Sequence, residues 1–171
     1  MPSLQEFVYS FQKDIARANR FDVYIVIPPG INTTDTNDRT LSLRCEAAQL
    51  PGRTFSTTEQ RTYGPIEKYP YLTTFTDLDL TFIVDDDMNQ KQFFDNWLEF
   101  INPLNTNNYK YKTDYVTDIL INQYSVTDEL TYSARLIEAY PISINQLDLD
   151  WNSEGYHKLT VTFAYTRWEK F

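Results

Sequence analysis

The sequence predicts a mainly β protein of the α+β class: an antiparallel β-sandwich or barrel with one flanking α-helix and an extended hairpin. Three observations predict it. The C-terminal part is a succession of strand-length runs in which apolar and polar residues alternate, as in Leu159, Val161, Phe163 and Tyr165 against Thr160, Thr162, Ala164 and Thr166. Only one stretch, Met88–Ile101, carries strong helical periodicity. The connections between strand runs are short, which favours antiparallel neighbours.

The elements follow in order. Over residues 3–18, Leu4, Phe7, Val8, Phe11 and Ile15 recur at spacings of three and four, and Ser3 with Glu6 forms a capping box, so an amphipathic helix is expected. A lone helix of this length is marginal in water, so it must dock on something. Phe21–Ile27 alternates as a strand and stops at Pro28-Pro29-Gly30; residues 31–40 read as a polar loop. Leu41–Ala48 reads as a second strand, ended by Pro51-Gly52.

Residues 53–76 are rich in Thr and aromatics and are broken by Gly64-Pro65 and Pro70, which fits an extended hairpin arm reaching away from the body. Residues 77–84 form a half-buried strand. In the flanking helix, 87–101, Phe94, Trp97, Leu98 and Ile101 share one face with Phe93 and Phe100 on its shoulders. Asp85-Asp86-Asp87 supplies a cap and negative charge at its N-terminus, and Asn102-Pro103 ends it. An Asn-rich loop runs to about residue 112. Four further strands are expected at Asp114–Val126, Leu130–Tyr140, Ile142–Asp150 and His157–Trp168, with Pro141 separating the middle two.

Composition narrows the function. A chain of 171 residues reads as one domain, 1–171, with room for a substantial core. Aromatics reach 16 % while glycines number four, which excludes Gly-rich phosphate cradles and linkers. One Cys and one His exclude a disulfide framework and a His/Cys metal cage. Fifteen basic against 24 acidic residues give a net charge of −9, the wrong sign for binding nucleic acid or an anionic membrane. No apolar stretch is long enough to span a bilayer. The N-terminus carries Glu6 early and lacks a basic region followed by an apolar run, so no secretory signal is read. The sequon Asn32-Thr33-Thr34 is then a polar loop.

Chemistry-bearing patterns are sparse. Asp85-Asp86-Asp87 has the ligand type for a divalent cation, but its place before a helix favours a cap. Asp148, Asp150 and Asn152 have calcium-loop spacing, yet Ser153 stands where Gly is needed and Leu159 where a bidentate Glu is needed. That favours a strand with Asp148 and Asp150 outward, ending in a turn. His157 has no nucleophile or carboxylate at diagnostic spacing, and reads as a strand-surface residue rather than a general base. Cys45 reads as a buried inert thiol. Aromatic stacking of single-stranded nucleic acid needs a cationic groove that the Asp, Glu and Thr between the tyrosines do not supply. No cofactor motif, metal site or catalytic constellation is found, and no enzymatic activity is expected.

The residues therefore favour a self-assembling structural subunit. Exposed edges and protruding hairpins are liabilities in a monomer but make sense when another chain pairs with them, and Tyr and Trp are favoured interface anchors. A monomeric β-barrel binding module and an enzyme using Asp/Glu pairs are the alternatives.

Several segments carry a family likeness over nearly the whole chain. After the N-terminal helix comes Ala18-Asn19-Arg20-Phe21-Asp22-Val23, then Leu43-Arg44-Cys45-Glu46-Ala47-Ala48-Gln49-Leu50-Pro51-Gly52. The block Phe75–Phe82 leads into Phe93–Trp97. The most specific part is Tyr140-Pro141-Ile142-Ser143, Leu147-Asp148-Leu149-Asp150-Trp151 and Leu159-Thr160-Val161-Thr162-Phe163, closing with Tyr165 and Trp168. In order and spacing these resemble the tail tube proteins of contractile-tailed bacteriophages.

The resemblance implies two antiparallel sheets flanked by a helix, in a subunit that forms hexameric rings stacked into a tube. It implies as partners other copies of the chain, the tail sheath, a tape-measure protein and baseplate proteins. DNA would pass through the lumen without specific binding, there would be no membrane anchor, and the place of action would be the virion tail, assembled in the host cytoplasm. The family's long hairpin bridges neighbouring subunits, which points to Tyr63, Gly64, Pro65, Lys68, Tyr69 and Tyr71 as self-assembly residues. The 63–71 segment is more aromatic and Pro-rich than expected of a main tube subunit, and the 102–112 loop is longer. Both fit a tube initiator at the baseplate junction as well as a main subunit. The tube of a related contractile injection system is the nearest alternative.

Overall fold

Alternating apolar side chains build two antiparallel sheets that share a core and one strand. The computed structural model describes residues 3–10, 15–33, 36–61, 63–152 and 154–171. Its elements are α1 Leu4–Ser10, β1 Phe21–Ile25, α2 Asp38–Arg44, β2 Cys45–Ala48, β3 Thr54–Gln60, β4 Glu67–Thr74, β5 Leu78–Ile83, α3 Asn89–Ile101, α4 Lys112–Tyr115, β6 Thr117–Tyr124, β7 Leu130–Ile144, β8 Lys158–Ala164 and β9 Arg167–Lys170. The main strand order is β1-β6-β7-β8-β5-β2, with β9 also on β7, while β3 and β4 form a separate two-stranded sheet.

The long strand β7 joins the two halves. Its residues 130–139 pair with β6, and Ala134–Ile137 pair with β9 on the other side. Residues 140–144 pair with β8. At the handover, Ile137 and Glu138 together oppose Asp118, and Glu138 takes a left-handed φ of 55°. This extra residue is a β-bulge, which bends and twists the strand. Asp118 holds the bulge: one carboxylate oxygen accepts from the Glu138 N–H at 3.4 Å, and the other accepts from the Arg135 guanidinium. The sequence places a strand break at Pro141, but the strand runs through it. Pro141 lies where β7 has β8 alone as neighbour, and an edge strand tolerates a missing N–H.

The chain bends at the corresponding point between its last two strands. The single run expected over His157–Trp168 is interrupted at Tyr165-Thr166, so that β8 joins one half and β9 the other. The Thr166 hydroxyl and the Lys112 ammonium both donate to the Glu138 carboxylate, tying this bend to the bulge. Similarly, the run expected from Asp114 begins as the short α4 before β6. The strand expected to reach Asp150 stops at Ile144, where the Asn145 side chain takes the Thr160 N–H at 2.7 Å and donates to the Lys158 carbonyl at 3.2 Å. Asp148 and Asp150 therefore stand on irregular chain, not on a strand face.

Leu41–Ala48 is not one strand either. The Asn37 side chain accepts the Thr40 N–H at 2.9 Å, capping α2, and the strand β2 begins only at Cys45. A strand would have put Leu41 and Leu43 on one face; the helix buries Leu41 and leaves Leu43 exposed. At the N-terminus the helix α1 covers 4–10, and Ile15–Arg17 are not helical. The rest of the expected helix, residues 11–14 with Phe11, lies outside the described residues. The capping box forms as expected: the Ser3 N–H donates to Glu6 at 2.8 Å and the Glu6 N–H to the Ser3 hydroxyl at 3.2 Å.

The core is continuous across both halves. Val23 and Ile25 of β1, Ile119 and Ile121 of β6, Leu136 of β7, Leu80 and Phe82 of β5 and Val161 and Phe163 of β8 are all buried in it. The helix α3 closes the core with Phe93, Phe94, Trp97 and Ile101, Leu98 being only half-buried. Its Phe94 ring lies 5.1 Å from Phe82 and 6.3 Å from a parallel Trp97, which meets Phe163 at 6.1 Å. Each such ring pair is worth about 0.5–1.5 kcal/mol beyond area burial.

Candidate assembly surface

The arm is built from β3 and β4, which pair with each other and with no other described strand. The register runs from Thr54 opposite Thr74 to Gln60 opposite Glu67, with an irregularity where Ser56 faces Leu72 and Thr57 faces Pro70. Tyr71 is the extra residue at this point, beside a proline that offers no N–H. At the root, the Trp168 indole donates to the Gly52 carbonyl at 3.1 Å, fixing the arm to the start of β9.

Tyr63, Gly64 and Pro65 sit at the tip. Gly64 has φ +91°, a conformation that side-chain-bearing residues rarely adopt, and Tyr63 is fully exposed. Lys68 and Tyr69 are neighbours on β4 and so point to opposite faces. The Lys68 ammonium lies 3.4 Å from Glu59 across the ladder. The Tyr69 hydroxyl donates to Glu67 on its own face, and this bond to a carboxylate raises the phenol's pKa. Tyr71 is 67 % exposed. The six predicted residues thus share one arm but not one face: three form the tip and three are distributed along β4.

The structure adds residues that the sequence reading did not single out. Phe55, Ile66 and Leu72 are exposed on the arm, and the Arg53 guanidinium lies 4.7 Å from the centre of the Phe55 ring. Beyond the arm, Leu149 and Trp151 are exposed between β7 and β8, as are Leu104, Tyr109 and Tyr111 after α3. Leu149 and Trp151 alternate with Asp148 and Asp150 and so read as part of a strand, whereas the structure places them on irregular chain.

The residues weighed for chemistry lie apart. The N-cap position of α3 is Met88, left-handed and without a side-chain cap, and Asp85, three residues earlier, accepts the Asn89 N–H at 2.8 Å and the Asn89 amide at 3.0 Å. Asp150 accepts the Asn152 N–H at 3.0 Å in a local turn, and Ser153 lies outside the described residues. Among the described residues no three His, Cys, Asp or Glu side chains are placed to hold a metal ion. The His157 carbonyl accepts the Val84 N–H at 3.2 Å. Burial pushes the Cys45 thiol up to about 12. The Asn32 carbonyl of the sequon accepts from the Asn96 amide at 3.3 Å, and Thr34 lies outside the described residues. No described helix is long and apolar enough to cross a membrane.

Two antiparallel sheets around one core, a flanking helix and a projecting aromatic arm make a fold of the tail-tube class. The chain belongs to the phage tail tube protein family, which it matches over residues 16–170, and its role is structural. No curated protein sequence matches it. Solved structures share the fold at low identity. A chain of the anti-feeding prophage baseplate is 16 % identical with a TM-score of 0.68, covering 94 % of this chain and 97 % of that one. A chain from the tube-terminating cap of the same particle is 19 % identical with a TM-score of 0.65, covering 93 % and 92 %. A chain of the sheath–tube complex of an extracellular contractile injection system is 16 % identical with a TM-score of 0.64, covering 100 % and 99 %.

Proposed function

We propose that this chain is a self-assembling subunit of a phage tail tube, residues 1–171 acting as one unit that forms hexameric rings stacked into the conduit for DNA ejection. The observation that carries the reading is the arm. A two-stranded hairpin is marginally stable alone in water, and this one exposes aromatic side chains at its tip and along β4. Both features are relieved when another copy packs against it, and Tyr63, Gly64, Pro65, Lys68, Tyr69 and Tyr71 are the residues assigned to that contact. The tail sheath, the tape-measure protein and baseplate proteins are the further partners of this reading. Assembly takes place in the host cytoplasm, and the product is part of the virion. The net charge of −9 suits a tube through which a polyanion slides without being held.

Negative-stain electron microscopy across a concentration series tests the proposal. Stacked rings or hollow tubes forming unaided are the expected result for a main tube subunit. Isolated rings that never stack would instead assign the chain to the tube initiator at the baseplate junction, the reading its aromatic, Pro-rich arm also fits. Monomers at every concentration, including with a baseplate template, would overturn the tube reading in favour of a monomeric binding module.

A further inference from the structure

Two of the exposed apolar patches on this chain carry opposite charge. The arm, residues 53–76, has Arg53, Arg61 and Lys68 against Glu59 and Glu67, a net +1 within a chain of −9. Most of these charges are committed inside the arm. The Lys68 ammonium lies 3.4 Å from Glu59, Glu67 accepts the Tyr69 hydroxyl, and the Arg53 guanidinium lies over the Phe55 ring. Arg61 is exposed beside the tip, and no ion pair among the described residues involves it. Two residues on, Tyr63 is fully exposed.

The connection between β7 and β8 has the reverse character. Residues 145–157 hold Asp148, Asp150 and Glu154 but neither Lys nor Arg, and His157 is half-buried. All three carboxylates are exposed, and none is in an ion pair among the described residues. Lys158, which borders the loop, is engaged by Glu46 at 2.6 Å. Leu149 and Trp151 stand among these acids, 85 % and 103 % exposed. Two other exposed apolar patches lack this match. Leu104, Tyr109 and Tyr111 share their loop with Lys110, and α1 carries Glu6 alone, whose carboxylate takes the Ser3 N–H.

We propose that the arm tip of one copy, Arg61 with Tyr63, docks on the 147–156 loop of a second copy. Tyr63 and Trp151 both keep their full surface in solvent, so they do not meet within one chain. The seven residues of β3 span about 20 Å, which carries the tip well away from its root and within reach of a neighbour. Tyr63 against Trp151 and Leu149 removes apolar surface from water, and aromatic anchors of this kind dominate interfaces. Arg61 then lies among the carboxylates of the loop, and this complementarity selects the surface more than it adds affinity. Arm and loop are different patches, so the contact is head-to-tail, closing a ring or extending a filament. The inference rests on the reading of the arm as an assembly contact and names the surface that receives it.

The Cys45 thiol, pushed up to about 12 by burial, reacts too slowly to compete with exposed cysteines. Ile66 and Asn152 are exposed near the tip and beside Trp151, so cysteines there leave Arg61, Tyr63 and Trp151 in place. Full-length Ile66→Cys and Asn152→Cys variants with different affinity tags are mixed and mildly oxidised, and the same samples are imaged by electron microscopy. The expected result is a disulfide between the two tagged species, in excess over links between identical variants. Adding Arg61→Asp to the first copy should cut its yield roughly fivefold or more, and adding Asp148→Arg with Asp150→Arg to the second should restore it. Rings with no cross-link between variants, or with a cross-link indifferent to these charges, would overturn the inference while leaving the tube reading in place. A cross-link that follows the charges, without rings, would uphold the contact and overturn the tube. Neither rings nor cross-link would overturn both.

Discussion

The indole N–H of Trp97 donates to the carbonyl of Tyr115 at 3.0 Å, tying the middle of α3 to the end of α4 just before β6 begins. The indole is fully buried between Phe93, Phe94 and Phe163. Trp97→Ala therefore removes a large core side chain and orphans a carbonyl, and should cost about 3–5 kcal/mol. For a domain of this size that lowers Tm by on the order of 10 °C or more. Trp97→Phe keeps much of the packing and should lose about 1–2 kcal/mol, chiefly through the missing hydrogen bond. Urea unfolding monitored by circular dichroism distinguishes the two; an unchanged midpoint for Trp97→Ala would mean that α3 does not close the core.

Asp85 links acid stability to the start of α3. Burial pushes its carboxyl up, but the Asn89 side chain and N–H, with the Arg44 guanidinium and the Gln90 contact, hold it below its ordinary value of 3.8. A group whose folded pKa is depressed stabilises the protein above the unfolded value and loses that contribution as pH falls through the folded one. Asp85→Ala should cost about 1 kcal/mol at pH 7, as loss of a hydrogen-bonding partner of the first helical N–H does. Thermal melts from pH 7 to pH 3 should show a gap between variant and parent that holds to pH 5 and narrows below 3.8. A gap independent of pH would show that the carboxylate's charge plays no part.

The Cys45 thiol should be nearly inert in the folded protein. With burial raising it to about 12, its thiolate fraction at pH 8 is on the order of a thousandfold or more below that of a free cysteine. Reaction with an aromatic disulfide reagent should be correspondingly slow in buffer and fast in denaturant. Equal rates in both would place the β2 edge in solvent.

Strand positions were most legible where burial was one-sided. Leu78, Leu80 and Phe82 alternate with half-buried partners, and the same holds for Leu159, Val161 and Phe163, so a period of two located β5 and β8 directly. What alternation could not give was the junctions. Leu41 and Leu43 fit a strand locally, and only the Asn37 cap and the burial of Leu41 alone make the segment helical. Pro141 looked like a break because its missing N–H matters in a central strand, whereas its place at a sheet edge is a tertiary fact. Glu138 gave no signal, since a charged residue in a left-handed bulge is set by Asp118, 20 positions away. The arm was legible from composition, but which of its side chains share a face depended on the irregularity at Pro70-Tyr71.

The arm carries the final prediction. Tyr63 at the tip and Tyr71 on β4 are both exposed, and neither belongs to the buried core. Replacing both with Ala should leave the subunit's stability within about 0.5 kcal/mol, as surface changes away from packed features do. Buried aromatics at the centre of an interface commonly cost 2 kcal/mol or more each on truncation, so the concentration needed for assembly should rise by roughly tenfold or more. Sedimentation velocity across a dilution series, with a melt of the same samples, measures both quantities. Assembly at the parent's concentration would remove these tyrosines from the contact. A large fall in Tm would show instead that the arm supports the fold of its own chain.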